Sequence, residues 1–291
     1  MRAATEAADA RPPSRTLAVL RGLIRDPIGL IALVVLLAVL LAALLAPWIA
    51  GHDPLFQDRR AILKPPSAAH WLGTDDIGRD VFARVLFGTR ISLLVGLLVV
   101  SITMAVGGLI GLISGYFGGW TDTIIQRVVE VLDTLPSLVL SLFIAAMLGP
   151  SVRNVVIAVT LAQVPRFVRV VRSEMLKVRQ HDFVAAARVI GASPLRIMLT
   201  HGLPNVMPTM LVLGSLVFGI AIMIEAAPSF LGVGTPPPSP SLGTMLAQGT
   251  RFIGTAPWLI VFPGLMLTIS VLALNLIGDA LRDVLDPRQR R

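Results

Sequence analysis

Apolar runs long enough to cross a lipid bilayer recur along the chain, separated by short polar segments. The alternation predicts an all-α, polytopic membrane protein with six spans. Residues 28–49 form the first, free of charge and about 33 Å long as a helix at about 1.5 Å per residue. Basic residues precede it, as in a secretory signal, but the run exceeds the roughly 7–15 apolar residues of such a signal and reads as a spanning anchor. A second span covers 91–113 and ends in Gly115, Gly118 and Gly119. The third begins as a charged helix with Arg127, Glu130 and Asp133 and continues into the apolar stretch 135–148. Each of those charges would cost about 2.5–3.5 kcal/mol at mid-bilayer, so they belong near the membrane surface or against protein. Arg153, Pro165, Arg166 and Arg169 interrupt the fourth span, 152–171, whereas the fifth (206–230) and sixth (257–277) are strongly apolar.

With six spans both termini share a side. The basic tail 1–27, the start of the third helix and the basic end 282–291 then all face the cytoplasm, as the positive-inside rule expects. Residues 50–90 become an irregular extracytoplasmic loop, and 91–281 a five-helix core. The polar segment 172–204 becomes a cytoplasmic loop inside that core. Phe183, Ala186, Ala187 and Ile190 recur at helical spacing, Gly191 can close that helix in the left-handed region, and Ser193 with Pro194 can start another. The spacing and small size of Phe183, Ala186, Ala187, Arg188 and Ile190 mark a candidate docking face, flanked by Gly191, Ala192 and Ser193. Locally the same pattern also fits a hairpin resting on the bilayer surface.

Hydrophobic residues make up 55% and charged residues 14%, far from the roughly one-quarter charge of soluble domains. The excess of 25 Lys and Arg over 17 Asp and Glu sits at the ends of apolar runs instead of forming a stripe with aromatics, which argues against nucleic acid. The absence of cysteine excludes disulfides and thiolate chemistry. Asp75, Asp76 and Asp80 lie near His70, but the four histidines (52, 70, 181 and 201) make no ligand spacing and Arg79 and Arg84 interleave the acids. A self-paired loop is expected there, without a metal. Glu225 and Asn275, polar groups within spans, are candidates for a translocation path, with a structural Glu225 as the alternative. The loop at 232–246, with Pro237 and Pro238, is expected to be extended and polyproline-like. Only Lys64 and Lys177 occur and neither follows a glycine, so no phosphate-binding loop of the G-x-x-x-x-G-K-[ST] type exists. No nucleophile elbow or internal duplication is evident either. The chain is read as a non-enzymatic half of a pore. A stand-alone channel or ion-coupled carrier working through Glu130, Asp133 and Glu225 is the competing reading.

Several blocks carry a family resemblance across all but about the first 24 residues. They are RDPIGLIALVVLL (25–37), GTDDIGRDVFARVLFGTRISL (73–93), EAAPSFLGVGTPPPSPSLGTML (225–246) and PWLIVFPGLMLTISVLALNLIGDALRDVLDPR (257–288), together with Ala186, Ala187, Arg188, Gly191, Ala192, Ser193 and Pro204. The sequence resembles the permease subunits of ABC importers for peptides and nickel, specifically the dipeptide and oligopeptide permease C branch. The family's EAA loop usually has Glu where this chain has Ala185. The resemblance implies a type I importer transmembrane domain in a bacterial inner membrane, paired with a second permease subunit. It further implies two ATPase subunits that carry ATP and Mg²⁺ and grip the loop as a coupling helix, and a solute-binding protein on the outer face. Asp75, Asp76, Arg79, Asp80, Pro237 and Pro238 are the residues assigned to that outer contact.

Overall fold

A computed structural model describes Ile24 and residues 26–285. Most of the expected N-terminal tail, with its arginines, and the end of the C-terminal tail lie outside the described residues. Within them the regular secondary structure is helical, and the one β-type pairing is an isolated bridge between Thr74 and Asp80.

Helix α1 (Pro27–Leu44) starts where Asp26 caps it, accepting from the amides of Ile28 (3.3 Å) and Gly29 (2.8 Å), with Pro27 in the first turn. Pro47 has no N–H with which to continue the ladder, and the apolar run breaks at Leu45 into a separate short turn, α2 (Ala46–Ile49). Helix α3 (Val81–Phe117) begins ten residues before the expected second span. Residues 81–90 are therefore helix, a correction to the irregular loop expected up to residue 90. Asp80 caps this helix by accepting from the Ala83 amide at 2.8 Å, and Val81 and Val85 bury their side chains against Leu242 and Met245.

The expected third helix is two helices, a second correction: α4 (Gly119–Asp133) and α5 (Ser137–Leu148), bent by 83°. Pro136, at φ −51° and ψ 135°, cannot continue α4 and biases Leu135 away from helical geometry. Charges on α4 are met by protein at the surface, with Asp133 2.6 Å from Arg169 and Asp122 paired with Arg172.

Helix α6 (Val152–Arg179) carries Pro165 within it and runs eight residues past the expected fourth span. Two short helices follow, α7 (Asp182–Val189) and α8 (Pro194–Ile197). A π-turn at Met198–Gly202 joins α8 to α9 (Leu203–Phe230). The proline-rich loop turns at Pro237–Pro238 instead of staying extended, and it leads into α10 (Leu242–Gly249), a helix with no counterpart in the expected layout. Ser241 and Thr244 form a capping box that starts α10. Helix α11 (Trp258–Leu285) completes the described chain.

Five helical stretches are long and apolar enough to cross a bilayer: α1, α3, α6, the continuous α8–α9 stretch and α11. The bent α4–α5 pair makes a sixth if it counts as one crossing. The most extensive packing is between α3 and α6, along Gly107, Gly111 and Gly115 at four-residue spacing. A Cβ at Gly111 would sit 2.7 Å from Val171 Cβ and 2.9 Å from the Val168 carbonyl oxygen. At Gly115 it would sit 2.7 Å from Met175 Cβ and 2.8 Å from the Arg172 carbonyl oxygen. The glycines let the two backbones approach closely, the small-residue device by which apolar helices associate in lipid.

Candidate functional site

The segment joining α6 to α9 is shaped by local signals. Gly191 sits at φ +83°, where a side chain would be strained. Its amide donates to the Arg188 carbonyl and that of Ala192 to the Ala187 carbonyl, both at 3.0 Å. This paired closure is the Schellman motif, which satisfies carbonyls the end of α7 would leave open. Ser193 then caps α8, accepting from the Arg196 amide at 3.4 Å, with Pro194 in the first turn.

Helix α7 is anchored on one side and free on the other. Val184 and Ala187, one turn apart, are buried in a cluster with Tyr116 of α3, Met175 and Val178 of α6, and Ile197. The Arg188 guanidinium carbon lies 5.3 Å from the centre of the Tyr116 ring. Phe183 stacks on His181 with ring centres 5.3 Å apart and lies 5.8 Å from His201. At the tip, Val189 is 87% and Ile190 82% exposed. A cavity of about 230 Å³ lies beside the tip, lined by Ala187, Ile190, Gly191, Ala192, Arg196 and His201.

The expected docking face is therefore divided. Phe183, Ala186, Arg188 and Ile190 are exposed, with Gly191 and Ser193 at the turn and Ala192 half-buried. Ala187 belongs to the anchoring side, a correction that follows from the packing of α7 on α3 and α6, and Val189 joins Ile190 at the free tip.

A chain of ionic and polar contacts stands behind α7. The Arg172 guanidinium grips Asp122 of α4 with both Nε and Nη2, and Asp122 also accepts from the Ser114 hydroxyl of α3. The Gln126 side-chain amide donates to Ser114 Oγ at 3.1 Å. Three helices are thus tied together at the level where α6 leads toward α7.

Around the N-terminus of α3, Asp75 accepts from the Arg79 side chain at 2.6 Å and from the Arg79 amide at 2.8 Å, and Arg84 Nε lies 3.5 Å from the same carboxylate. Thr74 Oγ1 accepts from the Lys64 amide and donates to the Ala61 carbonyl, and Trp258 Nε1 donates to the Thr74 carbonyl at 3.1 Å. The loop is folded on its own charges. Asp75, Arg79 and Asp80 are buried and already partnered, which corrects their assignment to an outer contact. Asp76 is half-buried and Pro237 and Pro238 are exposed, so these three remain presentable. His52 and His70 converge on Asp80 from separate parts of the loop, which is why their sequence spacing showed no pattern.

Glu225 is completely buried between α3 and α9, accepting from the hydroxyls of Ser92 and Ser229, both at 2.9 Å. Ser229 Oγ in turn accepts from the Thr235 amide at 3.2 Å. Asn275 of α11 is half-buried and packs on Gly219 of α9, where a Cβ would lie 2.8 Å from its Oδ1. The two polar residues assigned to a path are not brought together on a common surface, and Glu225 is occupied by contacts within the chain.

Residues 107–291 match the family described as binding-protein-dependent transport system inner membrane component, and residues 14–66 match the N-terminal TM domain of oligopeptide transport permease C. A dipeptide transport system permease protein of Haemophilus influenzae is 42% identical over 268 residues, covering 90% of this chain and 91% of the relative. A di/tripeptide transport system permease protein of Pseudomonas aeruginosa is 43% identical over 249 residues, covering 84% and 82%. A glutathione transport system permease protein of Pectobacterium atrosepticum is 39% identical over 269 residues, covering 92% and 89%.

Proposed function

The chain belongs to the family of binding-protein-dependent transport system inner membrane components, and from that membership we propose that it forms half of the translocation path of an ATP-driven peptide importer. A second, homologous permease subunit supplies the other half. A solute-binding protein delivers peptide from outside, and two ATPase subunits carrying ATP and Mg²⁺ act from the cytoplasm, where both termini lie. The membrane is the bacterial inner membrane, 172–204 is the coupling loop, and the other segments keep the sides expected from charge.

The observation that carries this reading is the build of α7. It is fixed to α3 and α6 through Val184 and Ala187 and leaves Val189 and Ile190 bare at its tip. An isolated apolar tip on a rigidly mounted helix suits insertion into a groove of another protein. Because the glycine seam locks α6 to α3, a push on α7 moves both helices as one body, and closure of the ATPases biases the path between two states. The chain has no phosphate-binding loop, which agrees with hydrolysis on separate subunits.

Peptide as the solute class rests on the relatives named for dipeptides, di/tripeptides and glutathione. Engagement of the candidate acids argues against an ion-coupled carrier. Glu130 pairs with Arg127 at 2.9 Å, Asp133 with Arg169, and Glu225 with two serines. The test is purification from native membranes followed by reconstitution. ATP-binding chains and a second permease should accompany this chain, and uptake of dipeptides, tripeptides or glutathione should require ATP and the solute-binding protein. Uptake by this chain alone, driven by an ion gradient, would overturn the proposal.

A further inference from the structure

Three side chains meet where the loop after α2 reaches the first turn of α3. His52 lies just past α2, His70 lies farther along the loop, and Asp80 caps α3. His70 Nδ1 is 2.9 Å and His52 Nδ1 4.0 Å from the same oxygen, Asp80 Oδ2, and all three donor atoms lie within 4.8 Å of one another.

Asp80 divides its carboxylate between two tasks. Its Oδ1 accepts from the Ala83 amide and starts α3, leaving Oδ2 to the imidazoles. The Asp80 side chain is only 3% exposed, yet no arginine or lysine among the described residues forms an ion pair with it. The nearby guanidinium groups of Arg79 and Arg84 are taken up by Asp75. A buried carboxylate of this kind calls for a cation, and among the described residues the basic groups within 4.0 Å of it are two imidazoles.

We propose that His52, His70 and Asp80 form a binding site for a divalent cation of the Zn²⁺ type. Two imidazoles and one carboxylate suit borderline metals such as Zn²⁺ and not Mg²⁺ or Ca²⁺, which take oxygen ligands. A tetrahedral Zn²⁺ with bonds of about 2.0–2.1 Å holds its ligand atoms about 3.3 Å apart. The 2.9 Å and 4.0 Å separations straddle that spacing. His52, with its side chain 44% exposed, has freedom to close on the metal, while His70 and Asp80 are held by packing. A cavity of about 150 Å³ beside the cluster, bordered by Gly51, Ala68, Ala69, Trp71 and Phe82, leaves room for water at the fourth position. Binding would staple the loop to the start of α3 and stabilise the folded chain by mass action.

The test uses the full chain, purified with its co-purifying subunits through a tag free of histidine and stripped with a chelator. Zn²⁺ is titrated while bound metal and the unfolding midpoint are measured, with Mg²⁺ as the control cation. The expected result is one Zn²⁺ at this site per chain and a raised midpoint, with Mg²⁺ inert. His52→Ala preserves the His70–Asp80 contact and should fold, yet it should weaken Zn²⁺ binding by at least about tenfold, a loss seen even when a hydrogen-bond partner of a metal ligand is removed. His181→Ala, remote from the cluster, should bind as the natural chain does. Equal Zn²⁺ affinity in the natural chain and His52→Ala, or no bound Zn²⁺ in the natural chain, would overturn the proposal.

Discussion

Ser92 of α3 donates its hydroxyl hydrogen bond to Glu225 of α9 at 2.9 Å, joining positions 133 residues apart in the fully buried interior. Ser229 makes the equivalent contact from one turn further along α9. Glu225 therefore holds α3 to α9 at the turn that leads into the proline-rich loop and α10.

Glu225→Gln retains the volume and a carbonyl oxygen for the serines, so peptide uptake per folded molecule should be unchanged. Glu225→Ala removes the acceptor of two hydroxyls and leaves a void, at a cost of about 2–5 kcal/mol. The unfolding midpoint in detergent should fall accordingly. A Glu225→Gln protein of normal stability that cannot transport would instead assign the carboxylate to the solute path.

The glycine seam should tolerate substitution poorly. At Gly111 a new side chain would meet the Val168 carbonyl oxygen at 2.9 Å, a backbone atom that cannot swing aside. Gly111→Leu should destabilise the protein by about 1–3 kcal/mol or more, through forced separation of α3 and α6. Thermal unfolding checks the magnitude. Gly254→Leu, at a position with nothing within 4 Å of its Cβ, is the matched control.

The Arg172–Asp122 grip should contribute modestly, because both side chains remain partly open to solvent at 31% and 17%. A double-mutant cycle with Asp122→Asn and Arg172→Gln should return a coupling of about 1 kcal/mol. Transport should fall more than stability if this contact holds α6 and α4 in step during the cycle. Parallel uptake and unfolding measurements separate the two effects.

The extent to which sequence foretold structure varied with how local the cause was. Gly191, Ser193 and Pro194 announced their turn because left-handed closure, N-capping and proline placement each act within a few residues. The inward side of α7 was not legible. Phe183, Ala186, Ala187 and Ile190 share a helical spacing, but Tyr116, far away in sequence, and Met175 on the preceding helix decide that Ala187 and Val184 turn inward. Arg84 and Arg90 diluted the hydropathy of the first ten residues of α3, although the Asp80 cap was available as a signal. Helix α10 was hidden behind its prolines, since its capping box uses Thr244 in place of the usual Glu or Gln. Pro136 was a local signal for the break between α4 and α5 that hydropathy alone passed over.

A contact made by the tip of α7 tests its coupling role most directly. Because the chain has no cysteine, Ile190→Cys introduces a single thiol at an 82%-exposed position without disturbing Val184 or Ala187. Tethering a photoactivatable crosslinker there in native membranes should join this chain to an ATP-binding subunit, with the yield changing when ATP is added. A reporter at Ile190 that crosslinks only to lipid, while uptake remains normal, would contradict the assignment of α7 as the coupling helix.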